Sequence, residues 1–121
     1  METVGKRIRK HREAKRAGIR EMARSIDISP AYLSRVEHDW PGATPSQDVL
    51  HRMASYFGIS SDELLSLARR VPPDVMDELA RSPEWFSVIR EAKKAGVKPD
   101  TLWTLAKLLE EPSLRYIPGG S

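Results

Sequence analysis

The chain has 121 residues, is 40% hydrophobic and 31% charged, and carries a formal net charge of +3. That length suits one ordinary domain, or a small domain with an appended helical piece, and excludes two large domains. No apolar run approaches the ~18 residues of a membrane span, and the charged stretch Met1 to Arg20 offers no secretory core; without cysteine, disulfides and thiolate zinc sites are excluded, and His11, His38 and His51 lie scattered, so a cytoplasmic protein with no cofactor and no metal is expected.

Apolar residues recur at helical spacing throughout, which predicts an all-α chain of eight helices joined by short turns. The first helix places Val4, Ile8 and His11 on one face, His11 being read as a partly buried structural residue. The same stretch concentrates charge: Lys6, Arg7, Arg9, Lys10, Arg12, Lys15, Arg16 and Arg20 stand against the single acid Glu13. Such a cluster is either a solvated face or a surface that attracts phosphate, and different members can do either. Residues 1–70 hold 13 Lys/Arg against 9 Asp/Glu, whereas residues 71–121 hold 7 against 8, so the basic excess is all N-terminal.

A second helix, about Ile19 to Ile26, buries Met22, Ala23 and Ile26; after Asp27-Ile28, a third runs from Pro30 to about His38 and buries Leu33 and Val36. Its start is well marked, because Ser29 is a good N-cap and Pro30 suits the first helical position, where no amide hydrogen is needed. Two short helices with a tight turn, a small residue at the crossing (Ala23) and a firmly capped second member describe a helix-turn-helix. Its outward set is then Ala31, Tyr32, Ser34, Arg35 and His38, short near the N-terminus, with Arg35 long enough to meet a guanine edge bidentately.

The loop Asp39 to Pro45 carries two prolines and a glycine; within it Trp40 either covers the core or flanks a DNA backbone. Ser46 caps a fourth helix carrying Val49, Leu50, Met53, Ala54 and Phe57, and Gly58 stops it. Ser60-Ser-Asp-Glu63 reads as a capping box in which Ser60 and Glu63 each satisfy one amide of the fifth helix. Val71-Pro-Pro-Asp74 marks a domain boundary. The predicted organisation is a DNA-binding domain at 1–70, a helical dimerisation segment at 71–111 and a flexible tail at 112–121.

In the second segment, Asp74 to Arg81 carries Val75, Met76 and Leu79; Ser82-Pro83 caps a helix with Trp85, Val88, Ile89 and Ala92; and Pro99 opens the last, with Leu102, Leu105, Ala106 and Leu109 in one stripe widened by Trp103 and Leu108. About 40 residues cannot bury two tryptophans, Phe86 and a leucine stripe alone, so Trp85, Val88, Ile89, Leu102, Trp103, Leu105 and Leu109 are expected to pack on a second copy.

The segments Gly5 to Arg12, Arg20 to Ala23 and Ile28 to Glu37, with Pro45-Ser46 and the Gly58-Ile59 step, resemble the xenobiotic-response-element family that includes the lambdoid phage repressors. The resemblance covers about residues 4–68 and implies a five-helix bundle whose third helix reads bases in the major groove of double-stranded DNA. It places Pro30, Ala31, Tyr32 and Arg35 at base edges and Gly18, Arg20, Ser29, Ser34, His38 and Thr44 near phosphates. It also makes Arg12 and Glu37 an ion pair tying the first helix to the end of the third. Four positions depart from the family pattern: Gly18 replaces a Ser or Thr cap, Ile19 a glutamine, Asp27 a turn glycine and His11 a leucine. Aspartate tolerates the left-handed backbone better than most residues, so the turn is expected to survive.

The C-terminal organisation is similar to that of Sin-type and mobile-element repressors, which implies a homodimer. An alternative is an antitoxin or partner-controlled regulator whose last helices hold another protein, such as a toxin or a metallopeptidase. No phosphate loop, cysteine nucleophile or paired histidines appear, and the serines lie at caps, so the chain reads as a non-enzyme.

Overall fold

The computed structural model describes residues 2–111; the predicted tail at 112–121 lies outside them. Among the described residues there are eight helices and no strand: α1 (Val4–Ala14), α2 (Ile19–Ser25), α3 (Pro30–Glu37), α4 (Gln47–Phe57), α5 (Ser61–Leu67), α6 (Pro73–Arg81), α7 (Glu84–Ala95) and α8 (Pro99–Leu109). None is long and apolar enough to cross a membrane. The chain divides into two compact units, Met1–Met76 and Asp77–Ser121, so the division falls inside α6.

The core belongs to the first unit. Ile8 of α1, Met22 and Ala23 of α2, Leu33 and Val36 of α3, Leu50 and Met53 of α4, and Leu64 and Leu65 of α5 are buried together. Each apolar stripe recurs at three- and four-residue spacing, so each helix turns one face inward and leaves the other to solvent.

Local chemistry starts and stops these helices. Thr3, Ser29, Ser46 and Ser60 stand at the N-caps of α1, α3, α4 and α5, each hydroxyl accepting a bond from a first-turn amide. The five helices also end alike. Arg16, Asp27, Asp39, Gly58 and Arg69 all adopt a left-handed backbone, with φ between 55° and 72°. In each case the next amide returns to the carbonyl five residues back: Ala17 to Arg12, Ile28 to Ala23, Trp40 to Arg35, Ile59 to Ala54 and Arg70 to Leu65. Only Gly58 is free of the β-carbon penalty there; Asp27 survives as the turn residue, and the left-handed backbone of Arg16, Asp39 and Arg69 has no signal in the sequence.

Two expected caps differ. Ser60 bonds the Asp62 amide, but the Glu63 carboxylate does not turn back on its own helix; it is taken by Arg7 and His11 of α1. Two cationic or polar partners across the bundle outbid one local amide. At α7 the N-cap position is Pro83, with no side-chain bond, so Ser82 does not cap.

In the second unit, α7 closes at left-handed Gly96, with the Val97 amide returning to Ala92. The Trp85 indole N–H donates to Glu78 and the Lys107 ammonium lies 5.1 Å from the Trp103 ring centre. No residue of α6, α7 or α8 is buried.

Candidate nucleic-acid interface

The site is built on α2, the turn and α3. Ile26 closes α2, and Asp27 in the left-handed region redirects the chain into Ser29. The Arg52 guanidinium of α4 donates to the Ile26 and Asp27 carbonyls, placing a cation at the negative end of α2, while its other edge meets Asp48 at 3.1 Å. The Ser29 hydroxyl accepts from the Tyr32 amide at 3.0 Å and Pro30 takes the first helical position, so the start of α3 is fixed twice.

With Leu33 and Val36 turned into the core, the opposite face of α3 is set. Pro30, Ala31 and Arg35 are exposed; Ala31 and Arg35 lie one turn apart, and Arg35 has no ion-pair partner among the described residues. Tyr32 differs from its expected outward position: it is half-buried and packs against the core, since its ring lies one residue from Leu33 at the edge of the buried stripe. Of the six residues expected near phosphate, Gly18, Arg20, Ser29, His38 and Thr44 are exposed and Ser34 is half-buried. Gly18 caps α2 with extended backbone and no side-chain bond. His38 Nδ1 donates to the Ser34 carbonyl at 2.7 Å, so a bond from Nε2 to a phosphate requires the protonated ring. Trp40 is 59% exposed, which removes the reading in which it covers the core; Pro45 and Ala43 fill that place.

Half of the basic N-terminal cluster is paired with acids within the fold, which narrows the surface expected to attract phosphate to the remaining members. Arg7 bonds Glu2 and Glu63, Arg9 pairs with Glu13, Lys10 approaches Glu2 and Arg12 pairs with Glu37. Lys15 donates to the Tyr56 carbonyl and lies over its ring. The partner arginine holds the Glu2 carboxyl down at about 2, and the His11 and Arg7 bonds hold Glu63 below the usual carboxylate range. His11 also stacks on Phe57, 5.1 Å between ring centres, as a structural residue would. Of the eight cations, Lys6, Lys15, Arg16 and Arg20 are left without an ion-pair partner among the described residues, joined by Arg24 and Arg35 of the helix-turn-helix.

One brace joins α1 to the end of α3. Arg12 Nε and Nη2 bond the two Glu37 oxygens at 2.7 and 2.9 Å, and Nη1 donates to the Ala17 carbonyl at 2.9 Å. The Glu37 side chain is 2% exposed and Arg12 12%, so both charges are nearly dry; the Glu37 bonds push the Arg12 guanidinium above its usual value. Asp39 and Arg52, which no sequence pattern singled out, join this framework; an apolar-periodicity reading gives no signal for either.

A capped helix presented on the outside of a small helical bundle, held at both ends and flanked by arginines that are unpaired among the described residues, is a helix-turn-helix domain, the architecture of DNA-binding transcriptional regulators. Residues 7–64 match the family model described as Helix-turn-helix. No curated protein matches the chain. Among solved structures, a chain of one titled SinR protein/SinI protein complex is similar in fold, with a TM-score of 0.50 and 22% identity over 89% of this chain and 95% of that one.

Proposed function

We propose that the protein is a homodimeric, cytoplasmic repressor that reads a palindromic operator with α3 in the major groove. The observation that carries the reading is the outward face of α3, where Arg35 stands exposed beside Ala31, unpaired among the described residues, while Leu33 and Val36 of the inner face are buried. In this reading Arg35 meets a guanine edge, and Pro30, Ala31 and Tyr32 shape the contact with neighbouring bases. Gly18, Arg20, Ser29, Ser34, His38 and Thr44 bind phosphates and set the register, and the Arg12–Glu37 pair holds α3 at its working angle. Selection of bound sites with wild-type chain and with Arg35→Ala tests it: the variant should lose preference at one base pair per half-site, and an unchanged site would refute the role of Arg35.

The dimer is assigned to residues 71–111, with Trp85, Val88, Ile89, Leu102, Trp103, Leu105 and Leu109 at the contact. What supports it is that these helices bury no residue of their own, with Trp103 64% exposed. Apolar surface of that extent is normally covered by another chain.

A second reading, of an antitoxin or partner-controlled regulator, draws on the same bare helices and on the fold's likeness to a chain from a complex of SinR and SinI proteins. There the C-terminal helices would hold a different protein, such as a toxin or a metallopeptidase. Sedimentation of the purified chain separates the two: twice the chain mass favours the homodimer, whereas a monomer that recovers a second protein from its source favours the partner.

A further inference from the structure

We propose that Asp39 is a positioning residue for base reading: its carboxylate, bound by the Thr3 hydroxyl and the Gly5 amide, fixes the end of α3 against the start of α1. The inference rests on the reading of α3 as the DNA-reading helix.

The geometry is specific. Thr3 caps α1 by accepting from the Lys6 amide at 3.1 Å, and the same hydroxyl donates to Asp39 Oδ2 at 2.6 Å. The Gly5 amide donates to Asp39 Oδ1 at 3.2 Å. A first-turn amide of a helix has no partner in its own helix, so a carboxylate from another element satisfies it and also meets the positive end of α1. The approach requires a glycine. A β-carbon on Gly5 would lie 2.3 Å from the Val36 carbonyl oxygen and 2.5 Å from Asp39 Oδ1, and the first of these is helix backbone that cannot swing away.

Asp39 reaches this place through a left-handed backbone, φ 55°, one of the few conformations in which aspartate is tolerated at positive φ. The Asp39 and Trp40 amides return to the Val36 and Arg35 carbonyls at 3.1 and 3.0 Å, so the carboxylate is rigidly joined to the last turn of α3. That turn carries Arg35.

α1 therefore grips the end of α3 at two points. Arg12 holds Glu37, and Thr3 with Gly5 holds Asp39; the two grips are seven or more residues apart on α1, about 10 Å or more at 1.5 Å per residue. Core packing of Leu33 and Val36 sets the inner face of α3, and Arg12 fixes Glu37, but neither holds the Asp39 turn that follows the helix. The second grip ties that turn to the start of α1, which matters because a bidentate base contact tolerates little misalignment of the turn that carries Arg35.

The test uses the full chain as wild type, Asp39→Gly, Asp39→Asn and Gly5→Ala. Asp39→Gly keeps the left-handed backbone without strain and deletes only the carboxylate. Two readouts are taken: hydrogen exchange of the Gly5 and Trp40 amides without DNA, and the ratio of affinity for a selected duplex to that for a random one. Asp39→Gly should speed exchange at Gly5 and lower the ratio about tenfold, the loss of one good base contact, with random-duplex affinity changed less than about twofold. Asp39→Asn, which keeps an acceptor and tolerates the backbone, should recover part of both. Gly5→Ala should fall in the same direction as Asp39→Gly. Exchange unchanged in Asp39→Gly overturns the clamp. Exchange that quickens with an unchanged ratio, or a ratio that falls only with the folded fraction, overturns its role in reading. A wild type that prefers no duplex overturns instead the proposed function, while the exchange result still stands for the clamp.

Discussion

Replacing Arg12 with alanine should cost more stability than any surface substitution in the domain, and the size can be worked from the brace itself. The change deletes both bonds to Glu37 and the bond to the Ala17 carbonyl, and leaves a carboxylate that is 2% exposed with no cation. Stranding one member of a buried pair costs about 3–5 kcal/mol, against about 5–15 kcal/mol for the whole stability of an ordinary domain. In urea, with a slope of about 1–2 kcal/mol per molar, the midpoint should fall by at least about 1.5 M. The double variant Arg12→Met/Glu37→Leu removes both charges at similar volume and should recover most of that loss, because the penalty lies in the unpaired charge rather than in the absence of attraction. Urea unfolding of the full chain followed by far-ultraviolet circular dichroism measures both. A loss below about 1 kcal/mol for Arg12→Ala, typical of exposed pairs, or a double variant as unstable as the single one, would refute the reasoning.

Other outcomes follow from the same framework. Glu63 and Glu2 are held below the usual carboxylate range, so their contribution is full above the ordinary value of 4.5 and is lost as the pH falls through the depressed values; Glu63→Gln should flatten that part of an acid-unfolding curve, and an unchanged curve would count against the Glu63–His11–Arg7 cluster. Arg69→Gly relieves a left-handed arginine at φ 57° and should raise stability by about 0.5–1 kcal/mol, read as a higher midpoint in urea. Arg35→Ala should relax specificity by about 1–3 kcal/mol while leaving the fold intact, measured as the affinity difference between selected and random duplex. A chain ending at Arg70 keeps the whole buried core and should fold as a monomer with weak operator binding; a truncated chain that still dimerises would remove the role given to residues 71–111.

Much of this was legible in the sequence, for physical reasons that differ along the chain. Ser29-Pro30, Ser46 and Gly58 each state a backbone conformation by their chemistry, so α3 and α4 could be bounded without a structure. Arginine carries no such statement, and the left-handed ends at Arg16 and Arg69 come from the helix closure that tertiary packing enforces. Charge was the harder quantity. Which of the eight N-terminal cations stay free could not be read from the sequence, because Glu2, Glu37 and Glu63, which engage three of them, lie outside the basic stretch. Glu63 was misread for the same reason: a capping box is a local pattern, and its carboxylate found partners 52 and 56 residues away. Asp39 escaped notice because its two bonds span 34 and 36 residues.

In the proposed function, α3 reads a specific sequence as one half of a symmetric pair. Repeated selection of bound duplexes from a random pool by the full chain tests it most directly. The expected product is an inverted repeat with half-site centres about 34 Å apart, one DNA turn, each half containing a guanine whose preference vanishes in Arg35→Ala. Enrichment of no sequence, or of a site that the variant selects equally well, would contradict it.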